Sequence, residues 1–251
     1  GSNSMKIISI GVAAVSLSAL TVPVSAQMSG EQQVGSRFER QAEETGDRYA
    51  KAFMTAFRHC YYKNFAERSE AFLTETDAYS EGIPAGTVDR HSLRANKWSA
   101  GCQFDTRATV FKSQMSFDTR ALRYMLAEGS YLFHFPDAPP ADIAPDSTAS
   151  APDWNVGRVY VSTGENLGKA RFFGAFADCI VAKDPVGADR LLRSEIQSPE
   201  ERAAAMAMID ALGNCLVAGN ELELTPENIR SFAADGMWQR YVATPARLAA
   251  D

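Results

Sequence analysis

The chain matches itself, and nothing else in it restricts the possible folds so strongly. Ala56, Phe57, Arg58, His59 and Cys60 return as Ala175, Phe176, Ala177, Asp178 and Cys179, an offset of 119 residues, and Leu73 returns as Leu192 at the same offset. Farther on, residues 117–123 (FDTRALR) lie over 224–230 (LTPENIR), and Ala127, Glu128 and Gly129 lie over Ala234, Asp235 and Gly236, now at an offset of 107. Two six-residue insertions in the first half account for the change. Cys60 and Cys102 are 42 apart where Cys179 and Cys215 are 36 apart, and Cys102 stands 20 before Leu122 where Cys215 stands 14 before Ile229. Self-matches of this kind mark a duplicated structural unit.

Local signals make each unit helical. Asp184 before Pro185, Ser198 before Pro199 with Glu201 following, and Thr225 before Pro226 combine an N-cap side chain with proline at the first helical position. In the first half Asp118 stands where Thr225 does, and Asn64 with Glu67 reads as a capping box near the position of Asp184. Second-half helices are expected over 168–181, 185–193, 199–212 and 226–241. The last has Ile229, Phe232, Ala233, Gly236 and Met237 on one face. The opening helix of the first half, over 36–62, carries Tyr49, Ala52, Phe53, Ala56 and Phe57 as its apolar stripe. The expected fold is mainly α: two pseudo-symmetric helical repeats, with room for a few short strands in 103–117 and 216–224 and at 158–161.

Four cysteines are compatible with three pairings. A unit stable before duplication needs its bond inside itself, which favours Cys60 with Cys102 and Cys179 with Cys215. Each such closure contributes roughly 4 kcal/mol in the chain-entropy treatment. No CxxC pair is present to run exchange chemistry, so the bonds read as structural. The cysteines and the three histidines also lack the close pairing of zinc ligands, and no metal or cofactor is expected.

The compartment follows from the leading residues. Residues 1–4 read as a cloning remnant before Met5, and Lys6 is followed by an uncharged, largely apolar stretch that ends at Val24, Ser25, Ala26. That small-x-small ending is what signal peptidase accepts, so 5–26 reads as a signal peptide cleaved after Ala26. Ser16, Ser18 and Pro23 break the run short of the ~20 apolar residues a membrane span needs. The mature chain is then periplasmic or secreted, with no transmembrane segment, where disulfides persist. Losing Lys6 takes its formal charge from −6 to −7, with both signs mixed along the chain, so the basic stripe that nucleic acid requires is missing. Residues 136–156, with Pro136, Pro139, Pro140, Pro145 and Pro152 among Ala, Asp and Ser, form a linker between a first repeat over 27–135 and a second over 157–251.

No motif prescribes a reaction. Gly164, Gly168, Lys169 and Ala170 approximate a phosphate loop, but three residues separate the glycines instead of four and alanine stands where Ser or Thr must hold magnesium. His59, His91 and His134 are isolated and have no counterparts in the second half. Glu128 and Asp235 repeat, and acids so placed solvate an outer face or pair with Arg123 and Arg230, five positions earlier on the same helices. The two arginines are the candidate ligand-binding residues, because a guanidinium between two units can clamp a carboxylate or phosphate. Trp98, Trp154, Trp238 and Tyr160 are candidates to line a cleft between the halves. The expected function is binding of a protein partner or small ligand, without catalytic residues. An envelope hydrolase with its site between the repeats, and an inhibitor or accessory factor of another exported protein, are the alternatives.

Overall fold

The computed structural model describes residues 51, 53–94, 118–146, 149, 157–216 and 222–244. Eight helices and no strand occur among them. Helix α1 comprises helical residues 53–56, a π-helical turn Phe57–Tyr61 and a last turn Tyr62–Asn64; α2 is Ala66–Glu75 and α3 is Thr119–His134. Then come α4 (Gly164–Lys183), α5 (Pro185–Arg193), α6 (Pro199–Ala207), α7 (Ile209–Cys215) and α8 (Pro226–Trp238), the last ending in a π turn Gln239–Ala243.

Helices α3 and α8 pack against each other at the centre. α1 and α2 lie on α3, and α4 and α5 lie on α8. Both central helices are enclosed: every residue of α3 from Leu122 to Tyr131 is buried, as is every residue of α8 from Phe232 to Trp238. A helix buried all round must bury its polar residues too, and these two bury Arg123, Glu128, Arg230 and Asp235. The apolar stripe expected on α1 holds for Phe53 and Phe57, which are buried and continue through Tyr61 as a stack with centroids 6.1 and 4.6 Å apart. Tyr49 and Ala52 lie outside the described residues.

Four helix starts follow their caps. Asp118 accepts from the Ala121 N–H, Asp184 from Gly187, Ser198 from Glu201 and Thr225 from Asn228. Glu201 also accepts from the Gln197 N–H, just outside the helix. The Asn64 capping box does not form. Asn64 is the last residue of α1 and its amide donates back to the Cys60 carbonyl, while Phe65 alone turns the chain and stands without a side-chain cap at the start of α2. With a single residue between the helices, Asn64 is still helical when it would have to adopt the extended backbone of a cap.

Two boundaries differ from expectation. Helix α4 begins at Gly164, four residues ahead of 168. The single helix expected over 199–212 is divided at Met208, whose N–H bonds to Ala205, three residues back, and whose side chain is fully buried. Met208 is a good helix former, so the break comes from packing and not from local preference. Leu216, residues 222–224 and residues 158–161, where strands were considered, are non-helical and form no strand; 103–117 and 217–221 lie outside the described residues.

Cys179 and Cys215 form a disulfide that joins α4 to α7. Cys102, the expected partner of Cys60, lies outside the described residues, as do residues 5–26, where a signal peptide is expected, and Trp98 and Trp154. The linker begins without helix over 136–146. Its start is tied down by Arg193, which donates to the Phe135 and Pro136 carbonyls. No helix among the described residues is long and apolar enough to cross a membrane.

Candidate functional site

The chemistry-bearing residues singled out in the sequence meet where α3 crosses α8, and they pair between the helices. Arg230 on α8 holds Glu128 on α3, with Nη2 at 2.7 Å from Oε1 and Nε at 3.1 Å from both oxygens. Arg123 on α3 holds Asp235 on α8 through Nε and Nη2, each 3.0 Å from Oδ1. Neither acid solvates an outer face, and neither pairs with the arginine five positions earlier on its own helix. Those two expectations are corrected. Positions five apart diverge by more than a quarter turn around an α-helix, so an arginine reaches the facing helix sooner than its own acid.

Each guanidinium is then filled by the carbonyls at a helix C-terminus. Arg123 Nη1 donates to the carbonyls of Leu73 and Thr76, at the end of α2, both at 2.6 Å. Arg230 donates to the carbonyls of Leu191 (3.0 Å), Leu192 (2.7 Å) and Ser194 (3.2 Å), at the end of α5, and to Glu201 at 3.0 Å. Cations suit such ends, where the last carbonyls lack intrahelical partners. Arg123 also lies over the Trp238 ring, 5.1 Å from its centroid.

Two further arginines complete the charge balance. Arg58 on α1 stands 3.4 Å from Glu128, and Arg158, in the non-helical segment ahead of α4, reaches Asp235 at 2.6 Å and also pairs with Asp178. Burial pushes the Glu128 carboxyl up, but Arg58 and Arg230 outweigh it and hold it below the usual carboxylate range. Asp235 is held low in the same way by Arg123 and Arg158. For Asp178 burial prevails over its pairing with Arg158, and the carboxyl is raised.

Gly129 and Gly236 follow the two central acids. A Cβ on Gly129 would collide with the Arg58 carbonyl oxygen of α1, and one on Gly236 with the Ala177 carbonyl oxygen of α4. Glycine there lets each flanking helix approach closely enough for its acid to be enclosed.

One pair of contacts had escaped the sequence reading. Trp238 Nε1 donates to Glu70 on α2 at 3.2 Å, and Tyr131 Oη donates to Asp189 on α5 at 2.7 Å. The signal was present, because the two offsets that align the halves place Glu70 over Asp189 and Tyr131 over Trp238.

The crossing is closed to solvent: Arg123, Arg230, Glu128 and Asp235 are 2%, 1%, 1% and 2% exposed. His59, His91 and His134 are all exposed at the surface. His59 nevertheless lies within electrostatic reach of the crossing: partial enclosure of its ring lowers its pKa, Glu128 opposes that shift, and Arg230 and Arg58 add to it. Trp238 and Tyr160 do not share a cleft: Trp238 is buried between Arg123 and Glu70, and Tyr160 lies against α4 at Gly174. Residues 164–170 form the first turns of α4 and not a phosphate loop. Among the described residues no group of three or more His, Cys, Asp or Glu side chains is placed to hold a metal ion.

Open cavities lie on the outer surface. One of about 670 Å³ is bordered by Arg68, Ile83, Val88 and the start of α3. A second of about 360 Å³ lies across the Gly82–Pro84 loop from it, bordered by Glu75, Tyr79, Glu81, Val161 and Asn166. A third, of about 650 Å³, runs between α5 and α6. No family model matches the chain, and no curated protein or solved structure is significantly similar to it.

Proposed function

We propose that this is an exported interaction protein, built from two copies of one helical unit that lock together through their central helices and meet a protein partner on the outer surface. The crossing of α3 and α8 carries this reading. Each charged group there faces an opposite charge of the same chain, only the Arg58 Nε and Nη1 groups being left without a hydrogen bond, and the seam between the halves is packed with salt bridges and aromatic rings. A small molecule would have to displace those pairs, each of which leaves an uncompensated buried charge when broken. The hydrolase alternative needs a solvent-reachable acid or histidine in the same seam, and has less in its favour.

The duplication is supported by the contacts at equivalent positions. Arg123 to Asp235 answers Arg230 to Glu128, and Trp238 to Glu70 answers Tyr131 to Asp189. Leu73 and Leu192 accept from the two arginines through their carbonyls, and the Arg58 and Ala177 carbonyls stand where a side chain on either glycine would lie. Reciprocity of this kind belongs to an isologous interface, here made between two parts of one chain. Export is supported by the leader over 5–26 and, more weakly, by the Cys179–Cys215 disulfide.

Production in a bacterial host with the leader in place, followed by osmotic release and mass spectrometry, is expected to return a soluble chain that begins at Gln27. Photo-cross-linkers placed singly on the outer faces of α2, α5 and α6 are expected to yield a discrete adduct in the envelope. A chain retained in the cytoplasm with residues 5–26 attached would sink the export reading. Absence of any adduct, with turnover of envelope substrates by the purified chain, would replace interaction by catalysis.

A further inference from the structure

Helices α6 and α7 bury one common side in spite of the break at Met208. Ala204, Ala205, Met208, Ala211, Leu212 and Cys215 are all buried, and their spacing of three and four belongs to a single helical face. That side is held at both ends: Arg230 donates to Glu201 near the start of α6 at 3.0 Å, and the Cys179–Cys215 disulfide ties the end of α7 to α4.

The opposite side is exposed, yet it has little of the charge that a solvated helix face carries. Between Ala203 and Leu216 its exposed residues include a single charge, Asp210. Met206 is 61% and Ile209 46% exposed. With Leu216, and with Val186 across the 650 Å³ groove that Ala203 borders, they are four of the eight large apolar residues exposed among the described residues.

Two charges flank Met206 symmetrically, Arg202 four residues before it and Asp210 four residues after. Both are exposed, and neither side chain has a hydrogen bond or ion pair among the described residues. No residue of opposite charge stands three or four positions from either, so neither can pair along its own helix. The row Arg202, Met206, Asp210 therefore reads positive, apolar, negative. Turned end for end about Met206 it reads negative, apolar, positive, and it complements itself. In the commonest crossing of two helices, rows of residues four apart run alongside each other. Two copies that cross in this way about a two-fold axis beside Met206 set each Arg202 next to Asp210 of the other copy, which is the self-complementarity that an isologous contact requires.

We propose that the outer face of α6 and α7 is a self-association surface on which a second copy of this chain docks antiparallel, with Met206 and Ile209 at its centre and two Arg202–Asp210 pairs between the copies. Self-association of this kind goes beyond the envelope partner proposed above and is independent of it.

The test is sedimentation velocity of the full mature chain up to about 200 µM, because a contact made by two short helices lies at the small end of protein interfaces and a dissociation constant on the order of 10 µM is expected. M206E, R202D and D210R are each expected to weaken the dimer at least tenfold, the last two by setting like charges face to face at both pairs. An equimolar mixture of R202D and D210R chains is expected to dimerise again, since every pair between the two kinds of copy then has opposite signs. Damage to the fold would not be repaired by mixing two defective chains. The three positions are exposed, and circular dichroism verifies that the variants fold. A monomer at every concentration, a dimer that M206E leaves intact, or a mixture that stays monomeric overturns the proposal. A monomer whose cross-linker on α6 gives an adduct with a different protein assigns this face to that protein, overturning the second copy and leaving the interaction reading in place.

Discussion

Glu128 and Asp235 are buried acids on the two central helices, each beside a glycine and each held by two arginines, but the second arginine comes from a different place. At Glu128 it is Arg58, part of the neighbouring helix α1, whose Nε and Nη1 have no hydrogen-bond partner. At Asp235 it is Arg158, delivered by the non-helical segment ahead of α4 and bonded to two carboxylates. The remaining acid differs as well: Glu201 arrives from α6 to complete the first cluster, and Asp178 stands within α4 to complete the second. Each cluster thus opposes two arginines with two carboxylates. What the two clusters share is charge neutrality in a dry site, where an uncompensated ion is too unfavourable to keep, while the elements that supply the charges differ.

The comparison breaks most clearly at Arg230. Arg230→Met strands Glu128 with Arg58 alone, leaves Glu201 unpaired and frees three carbonyls at the end of α5. A loss of about 4 kcal/mol is expected in urea unfolding. Adding E128Q to that variant is expected to return about 1–3 kcal/mol, because it removes the stranded charge.

Arg158→Met is expected to cost less, about 3 kcal/mol at pH 7, since Asp235 keeps Arg123 and Asp178 can neutralise itself by taking a proton. The sign follows from linkage. An acid whose folded pKa is raised favours the folded state as pH falls through that pKa, whereas Glu128, Asp235 and Asp77, held low, lose their contribution only as pH falls through their depressed values. The R158M deficit should therefore shrink as pH falls from 7 toward the acid range, while the contributions of Glu128, Asp235 and Asp77 in the parent chain are lost only as pH falls below the ordinary carboxylate range, about pH 4. A deficit that does not change with pH would show that Asp178 is not the group left behind.

Gly129→Ala and Gly236→Ala sharpen the comparison from the backbone side. Each drives a methyl group into a carbonyl oxygen of the flanking helix, and each should cost about 2 kcal/mol. Equal losses in thermal unfolding would support two equivalent helix contacts. A loss confined to one would mean that only one pair of helices is packed tightly enough to feel the change. The smallest effect belongs to the caps: Asp118→Ala and Thr225→Ala, at the starts of the two central helices, should each cost about 1 kcal/mol.

The sequence by itself determined where four of the helices begin and which charged residues occupy matching positions. The caps at Asp118, Asp184, Ser198 and Thr225 were legible because a cap bond spans only three residues and needs nothing from the rest of the fold. Arg123, Glu128, Arg230 and Asp235 were legible as important because they occupy matching positions. Asn64 carried the same short-range pattern and failed, since α1 continues through it and leaves only Phe65 to turn the chain. The break at Met208 had no local signal, and the burial of that side chain decided it. The partners of the arginines were also decided by tertiary structure. A helix places neighbours three and four apart on its own surface, but which acid faces a guanidinium across a crossing depends on how closely two helices approach. Here Gly129 and Gly236 help to set that distance by the absence of a side chain. The non-helical segment at 158–162 shows the same division. Its alternation is written in the sequence, but the choice of Arg158, Tyr160 and Ser162 as the inward face was made by Asp178, Asp235 and Asp77, which only the folded chain brings beneath it.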